Sequence, residues 1–197
     1  MISRPTRATT MVDVVQPATR PLLWNIGLVV AFGTLMGVLA QISIPLPFTP
    51  VPVTGQTFGV LLTGALLGSR RGGGAMLVYL AEGIGGLPVF ALGHSGLATI
   101  LGPTGGYLLS YPVAAFAVGF LTERGWDRAF LRSAAAMVLG EVVIYTVGLS
   151  WLAHFVGSSR VLALGFLPFL PGDVAKLLLA AAVLPSGWRI IRTFRPL

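Results

Sequence analysis

Six apolar stretches, separated by short polar segments or by segments rich in glycine and proline, divide this chain of 197 residues. The first contains no charged residue over residues 22–44 and, at about 1.5 Å per residue, is long enough to cross a hydrocarbon core of about 30 Å. The other five are residues 57–68, 72–84, 105–121, 129–156 and 173–188. The pattern predicts an all-α integral membrane protein with six transmembrane helices in a domain over residues 22–188.

The connections on one side of these predicted helices are rich in glycine and proline. Four prolines between residues 45 and 52 end the first helix and predict an extended loop, which is a lid, a segment folded back into the bundle or a rigid turn. The connection 85–106 contains seven glycines and almost no charge. Irregular backbone at membrane depth is tolerated where protein buries it or water reaches it. We therefore expect these loops to line a cavity.

Composition supports the membrane class, since the chain is 55% hydrophobic and 10% charged, with a mean hydropathy of +0.87. The net charge of +7 comes from basic residues that lie between the apolar stretches, which is typical of topology signals and not of nucleic-acid binding. Eleven arginines fall on the side of the termini, and only Arg160 falls on the other: Arg4, Arg7, Arg20, Arg70, Arg71, Arg124, Arg128, Arg132, Arg189, Arg192 and Arg195. The positive-inside rule therefore predicts that the two terminal tails, 1–21 and 189–197, are cytoplasmic.

An acid and a base lie close together where the sixth predicted helix begins, on the external side. Lys176 is the only lysine and follows Asp173 by three residues, so a helix that starts at residue 172 or 173 places both side chains on one face. A charge inside a membrane helix costs about 2.5–3.5 kcal/mol and usually marks a pathway or a ligand site. Asp173 could also be the N-cap of the helix, which is the structural alternative. The pair predicts a ligand pocket near the external face, suited to a small ligand with hydrogen-bond donors and an anionic group.

Residues typical of catalytic or metal sites are sparse. The chain has no cysteine, no Ser-His-Asp set, no His-Glu-x-x-His motif and no paired catalytic aspartates, so we expect neither an enzyme nor a metal or cofactor site. His94, beside Ser95, has no second histidine or carboxylate at ligand spacing. Glu82 and Glu141 lie inside predicted helices, and an intramembrane enzyme, the remaining catalytic alternative, would depend on one of them.

The first predicted helix contains two pairs of small residues at a spacing of four. The pairs Gly27/Ala31 and Gly33/Gly37 would let another helix approach closely. Glycine is common in membrane helices, so the pairs serve either internal packing or docking to a partner membrane protein.

Four motifs resemble, in their order along the chain, those of the BioY family, the biotin-specific substrate-binding (S) component of energy-coupling factor (ECF) transporters. They are Ile-Ser-Ile-Pro-Leu-Pro-Phe-Thr-Pro-Val-Pro-Val-Thr-Gly-Gln-Thr-Phe (42–58), Gly-Leu-Pro-Val-Phe-Ala (86–91), Leu-Gly-Pro-Thr-Gly-Gly-Tyr-Leu (101–108) and Pro-Phe-Leu-Pro-Gly-Asp-Val-Ala-Lys (168–176). The resemblance implies six membrane helices in the bacterial cell membrane and biotin bound near the external face. It also implies association with a transmembrane coupling protein and two cytoplasmic ATPases, which some members are reported to work without.

The resemblance further implies roles for individual residues. By position, Asp173 would accept hydrogen bonds from the ureido N–H groups of biotin, and Lys176 would contact a ligand oxygen of either the ureido group or the carboxylate. The further wall or lid candidates are Gln56, Phe90, His94, Ser95 and Tyr107. The His-Ser pair differs from the Gly-Gly or polar amide frequent in the family. The candidates for docking to the coupling protein, in place of the family's Ala-x-x-x-Ala signature, are Gly27, Ala31, Gly33 and Gly37.

The leading expectation is therefore high-affinity capture and uptake of biotin as the S component of an ECF-type transporter. One alternative is an S component for another small vitamin. The other is a membrane scaffold subunit without a ligand, in which Asp173 and Lys176 merely pair with each other.

Overall fold

The computed structural model describes residues 10–15 and 21–194, and this part of the chain is mostly helical. The helices are α1 (Met11–Val15), α2 (Pro21–Gln41), α3 (Gln56–Leu67), α4 (Ser69–Ile84), α5 (Leu97–Leu101), α6 (Gly105–Thr122), α7 (Phe130–Val156), α8 (Val161–Gly165) and α9 (Leu170–Phe194). Two short strands, β1 (Ser43–Ile44) and β2 (Val53–Thr54), lie between α2 and α3, and single 3-10 turns cover Ala91–Gly93 and Trp126–Arg128. The six predicted apolar stretches correspond to helices α2, α3, α4, α6, α7 and α9.

Four helices in the described part of the chain are long and apolar enough to cross a membrane, namely Leu22–Gln41, Gly105–Thr122, Phe130–Val156 and Leu170–Ile191. Helix α3 is apolar but has only 12 residues, and α4 has 16 and begins with Ser69, Arg70 and Arg71. A straight crossing of the hydrocarbon core takes about 20 residues. Length and composition thus support a multi-pass membrane protein.

Helix α6 is the centre of the bundle. It packs against α3, α4 and α7, whereas α2 packs mainly on α4 and α9 packs on α7 and α3. Gly64 lets α3 approach α6 closely, since a Cβ there would lie 2.4 Å from the carbonyl oxygen of Ala115. The outer helices α2 and α9 expose most of their apolar side chains, among them Leu22, Leu23, Val38, Leu178 and Leu179. So large an exposed apolar surface fits lipid better than water.

The first predicted helix is shorter than the apolar stretch that predicts it. Helix α2 ends at Gln41, and β1 pairs with β2 in antiparallel register, Ser43 with Thr54 and Ile44 with Val53. Proline disfavours helical backbone at the preceding residue, so the helix ends before Pro45. The proline-rich loop is therefore a hairpin, and the hydroxyl of Thr49 in its turn donates to the carbonyl of Leu164 near the end of α8 at 2.7 Å.

The sixth predicted helix begins earlier and ends later than expected. Helix α9 starts at Leu170 because Pro171 is tolerated in the first turn, where its missing N–H has no helical partner. Asp173 consequently lies within the first turn and not at the N-cap. The predicted tail 189–197 continues α9 as far as Phe194, and residues 195–197 lie outside the described residues, as do 1–9 and 16–20 of the predicted N-terminal tail.

The end of the bundle opposite the hairpin is held by polar contacts. Arg71 pairs with Asp13 of α1 at 2.5 Å, and the backbone N–H and hydroxyl of Thr10 donate to the same carboxylate. Burial raises the pKa of Asp13, but these hydrogen bonds outweigh it and the net pKa is lowered. Asp127, in the turn between α6 and α7, is fully buried and accepts a hydrogen bond from Nε1 of Trp188 on α9.

Candidate functional site

A cavity of about 480 Å³ lies at the hairpin end of the bundle. Its wall is formed by the hairpin, the connection between α4 and α6, and parts of α3, α6, α7 and α9. Small-molecule sites in proteins typically have volumes of about 300–1,000 Å³ and mostly apolar walls with a few converging polar groups. The glycine- and proline-rich connections therefore line a cavity, as their composition predicts.

Asp173 and Lys176 form an ion pair in the wall of this cavity. The two residues are one turn apart on α9, and Nζ of Lys176 lies 3.0 Å from Oδ1 of Asp173. The ammonium also donates to the carbonyl oxygen of Thr54 at 2.7 Å and to the hydroxyl of Thr57 at 3.1 Å, so its three N–H donors are all used. The Asp173 side chain is 7% exposed and that of Lys176 is 22% exposed. The base is therefore the more accessible partner.

The carboxylate of Asp173 is oriented by side chains from two other helices. Thr57 of α3 donates to Oδ1 at 3.2 Å, and the hydroxyl of Tyr145 on α7 donates to Oδ2. The carboxylate thus accepts from three side chains and does not cap α9. Because each carboxylate oxygen has two lone pairs, Oδ2 keeps one for a ligand donor.

Aromatic rings form much of the remaining wall. The rings of Tyr107 and Tyr145 meet edge to face, with centroids 6.3 Å apart, and Phe166 packs on Tyr145 at 4.8 Å. The hydroxyl of Tyr107 donates to the carbonyl of Gly165 in α8 at 2.9 Å. This bond fixes α8 against α6 beside the cavity.

Gln56 and Phe90 are held by the same tyrosine of α4. The amide of Gln56 donates to the hydroxyl of Tyr79 at 2.7 Å, and that hydroxyl donates to the carbonyl of Val89 at 3.1 Å. The ring of Phe90 packs edge to face on Tyr79 at 5.5 Å and is buried. Both side chains therefore form a rigid wall between α3 and the connection after α4.

Residues 88–96, which we call the rim segment, carry His94 and Ser95 to the mouth of the cavity. Leu92 and Gly93 both have positive φ, 60° and 71°, and reverse the backbone so that the amide of Phe90 bonds the carbonyl of His94. Gln41, the last residue of α2, donates to the carbonyl of Phe90 at 3.1 Å and accepts from the amide of Gly93 at 3.1 Å. Gln41 thus holds the backbone of the rim segment immediately before His94.

All seven side chains predicted to contact a ligand line this one cavity, namely Gln56, Phe90, His94, Ser95, Tyr107, Asp173 and Lys176. Their binding roles remain predictions. Sequence reasoning did not assign Tyr145 and Thr54 to the site, although both contact the ion pair. Tyr145 lies within a long apolar helix and Thr54 takes part through its backbone, so neither carried a distinctive sequence signal.

Comparison with known proteins identifies the family to which this chain belongs. Residues 9–193, nearly the whole chain, match the BioY family. The chain belongs to the BioY family. A probable biotin transporter BioY of Pyrococcus horikoshii is 43% identical over 152 residues, covering 77% of this chain and 88% of that one. A biotin transporter BioY of Rhizobium etli is 39% identical over 172 residues, covering 83% and 90%. A crystal structure of the S-component for biotin from an ECF-type ABC transporter is similar, with a TM-score of 0.76 and 26% identity over 87% of this chain and 94% of that chain.

In this BioY-family chain the four docking candidates fall into two groups. Gly33 and Gly37 are buried, and a Cβ there would lie 2.9 Å from Val78 and 3.0 Å from Val89, so both positions serve internal packing. Gly27 and Ala31 lie on the exposed face of α2, and a Cβ at Gly27 would meet nothing within 4 Å. Only the second pair is free to contact another membrane protein.

The two glutamates inside helices lie outside the cavity wall. Glu82 accepts a hydrogen bond from Thr34 of α2 at 2.9 Å. Both carboxyl oxygens of Glu141 are buried and have no hydrogen-bond partner among the described residues. Within the same residues there is no cluster of three or more His, Asp or Glu side chains that could hold a metal ion.

Proposed function

We propose that this protein captures biotin as the substrate-specific subunit of an ECF-type transporter. The observation that carries the proposal is the Asp173–Lys176 pair in the wall of an otherwise mostly apolar cavity. Biotin has an apolar ring carbon frame, a ureido group with two N–H donors and one carbonyl oxygen, and a carboxylate tail. One carboxylate and one ammonium held side by side offer an acceptor and a donor to such a ureido group.

The contacts within the pair support a separate role for each residue. Asp173 accepts a ureido N–H group with the free lone pair of Oδ2 beside Tyr145. Lys176 contacts a ligand oxygen, and because its three donors are all engaged, it exchanges one existing bond to do so. The longest of these is the 3.1 Å bond to Thr57. Tyr107 and Phe90 supply the apolar wall for the ring system.

The orientation follows from the arginines and the helix order. Helices α2, α3, α4, α6, α7 and α9 cross the membrane, the shorter α3 and α4 included, and both termini are cytoplasmic. The cavity then opens to the external face of the cell membrane. The cluster Arg70, Arg71, Arg124, Arg128 and Arg132 lies at the opposite, cytoplasmic end.

Uphill transport requires a source of energy, and the chain has no nucleotide-binding motif. We infer that a transmembrane coupling protein and two cytoplasmic ATPases supply it, as the S-component relationship implies. The exposed pair Gly27 and Ala31 on α2 is the docking surface for the coupling protein, because small side chains allow a second helix to approach closely. Hydrolysis of ATP is then the work of the partners, and this subunit is not an enzyme.

The test is calorimetric titration of biotin into the purified, detergent-solubilised protein. Asp173→Asn and Lys176→Met each remove one charge-assisted hydrogen bond to the ligand, so we expect each to weaken binding by about 1.5–3 kcal/mol, about 10- to 150-fold. Glu82→Gln is the matched control, because it neutralises a carboxylate outside the cavity and should leave the affinity unchanged.

Three outcomes contradict parts of the proposal. Tight binding that neither substitution weakens keeps biotin as the ligand but moves its site away from α9. Absence of binding by folded wild-type protein overturns the biotin assignment, and binding of another small vitamin would then identify the substrate. If joint replacement of Asp173 and Lys176 by apolar residues leaves function intact, the scaffold alternative is correct.

A further inference from the structure

When Lys176 contacts the ureido oxygen, the charge balance of the cavity leaves the anionic tail of the proposed ligand without a charged partner. The ionisable side chains in its wall are Asp173, Lys176, His94, Tyr107, Tyr111 and Tyr145. Asp173 and Lys176 neutralise each other, and every N–H donor of Lys176 is used within the protein. An anion that leaves water needs compensating donors or positive charge. Apart from the ion pair, His94 is the one cavity-lining residue that can become positive.

His94 is placed to provide that charge. Its side chain is exposed at the mouth of the cavity, and its ring has no hydrogen-bond partner among the described residues. Its backbone N–H donates to the carbonyl of Ala91 at 3.3 Å, and its carbonyl accepts from the N–H of Phe90 at 3.1 Å. Gln41 holds Phe90 and Gly93 of the same segment. A fixed backbone with an unengaged imidazole presents a donor to a ligand at little cost in main-chain ordering.

The rim segment and α9 belong to different sides of the cavity. The 3-10 turn of the rim segment packs on α2 and the following α5 packs on α6 and α4, whereas α9 packs on α3 and α7. An elongated ligand with its ureido group at Asp173 and Lys176 can therefore extend its tail across the cavity to the rim segment.

We propose that His94 binds the carboxylate tail of the ligand and makes its recognition depend on pH. This inference rests on the proposed function, since it takes biotin as the ligand. Protonation of an imidazole adds a positive charge and a second N–H donor, so acid conditions strengthen its contact with a carboxylate. An alkyl carboxylate, with an ordinary pKa of about 4.3, stays ionised between about pH 5 and pH 8.

Other charged groups near the rim segment do not substitute for His94. Helix α2 ends in the neutral Gln41, and α4 carries Glu82, which Thr34 holds at 2.9 Å. Helix α6 presents Tyr107 and Tyr111, whose hydroxyls do not become positively charged. The ion pair on α9 contacts the ureido end, which is common to biotin and to its uncharged amide.

The experiment compares biotin with biotinamide, which has the same ureido group and a neutral tail. Affinities are measured calorimetrically at pH 5.5 and pH 8.0 for wild type, His94→Gln and His154→Gln. Because both ligands carry the same ureido group, any effect of pH on the contacts at Asp173 and Lys176 cancels in the ratio of the two affinities. For wild type we expect the preference for the acid to be about fivefold larger at pH 5.5 than at pH 8.0, the upper end for an exposed charge pair.

The two histidine variants separate a local effect from a general one. In His94→Gln the ratio should not change with pH, while biotinamide should bind as tightly as to wild type, which also shows that the variant is folded. His154 lies on the exposed face of α7 outside this cavity, so His154→Gln should keep the wild-type pH dependence.

Two results would overturn the role of His94. One is a wild-type ratio that does not change with pH, which would leave Lys176 or neutral hydroxyls as the carboxylate ligands. The other is a pH-dependent ratio that persists in His94→Gln. If neither biotin nor biotinamide binds wild type at either pH, the biotin assignment itself is wrong, and the role of His94 fails with it. This outcome differs from the two results above, in which the ligands bind.

Discussion

The hydroxyl of Tyr145 is the contact whose removal tests most directly how the site is organised. It donates to Oδ2 of Asp173, on the side of the carboxylate that faces away from Lys176 and Thr57. Tyr145→Phe removes this single oxygen and keeps the edge-to-face contacts of the ring with Phe166 and Tyr107. Any change in binding then reports the hydrogen bond and not the packing.

The size of the effect of Tyr145→Phe depends on whether the hydrogen bond to Asp173 forms before or after the ligand binds. A hydrogen bond to a charged group contributes about 1.5–3 kcal/mol to stability. Because this bond exists before the ligand arrives, most of its loss lowers the thermal stability of the unliganded protein. Affinity falls only by the cost of ordering a freer carboxylate, about 0.5–1.5 kcal/mol or two- to twelvefold, since Thr57 and Lys176 still restrain Oδ1.

The assay is a double-mutant cycle by biotin titration, with Tyr145→Phe measured in wild type and in Asp173→Asn. A neutral acceptor takes a hydrogen bond about half as strong as a carboxylate, so the cost of Tyr145→Phe should fall by about half in the second background. Tyr107→Phe is the control, because Tyr107 donates to the backbone of Gly165 and should show no coupling to Asp173. Equal costs of Tyr145→Phe in both backgrounds, or equal coupling for Tyr107, would refute the positioning role.

Two predictions concern stability, measured as thermal unfolding in detergent. Burial raises the pKa of Asp127 by more than the hydrogen bond from Trp188 lowers it. The folded state therefore binds this proton more tightly than the unfolded state does. Stability falls as the pH rises from the ordinary pKa of 3.8 through the folded pKa. Asp127→Asn should therefore be at least as stable as wild type at pH 7. Asp127→Leu leaves Nε1 of Trp188 without an acceptor and should lower the free energy of unfolding by about 1–3 kcal/mol. Equal losses of stability in both variants would contradict this prediction. Gly64→Ala should lower the free energy of unfolding by about 1–3 kcal/mol, because the new Cβ would lie 2.4 Å from the carbonyl oxygen of Ala115. The control Gly27→Ala has nothing within 4 Å of its new Cβ and should lose no stability. Similar melting temperatures of the two variants would mean that α3 and α6 can move apart without loss of stability.

The positions of the helices were largely predictable, and their ends were not. Apolar length is a property of one segment, so residues 105–121 and 129–156 predict α6 and α7 to within a residue at each end. Residues 42–44 are as apolar as the helix before them, but their backbone pairs with residues 53–55 across a hairpin. Hydropathy contains no information about that partner.

The site shows the same division between local and non-local information. Asp173 and Lys176 were found because charges are rare in membrane helices and because three residues along a helix place them on one face. Their partners Thr54, Thr57 and Tyr145 come from a strand end and two other helices. No spacing along the chain relates them.

The sequence by itself determined the membrane class, the apolar segments and the two charged residues of the site, because hydropathy, charge and helical periodicity act over a few neighbouring residues. Only the tertiary structure decided that Asp173 accepts from Tyr145 and does not cap α9, and that Gly33 and Gly37 pack inward while Gly27 stays open. These outcomes depend on which helix lies against which. That choice is made by packing between residues far apart in the chain, which no local pattern encodes.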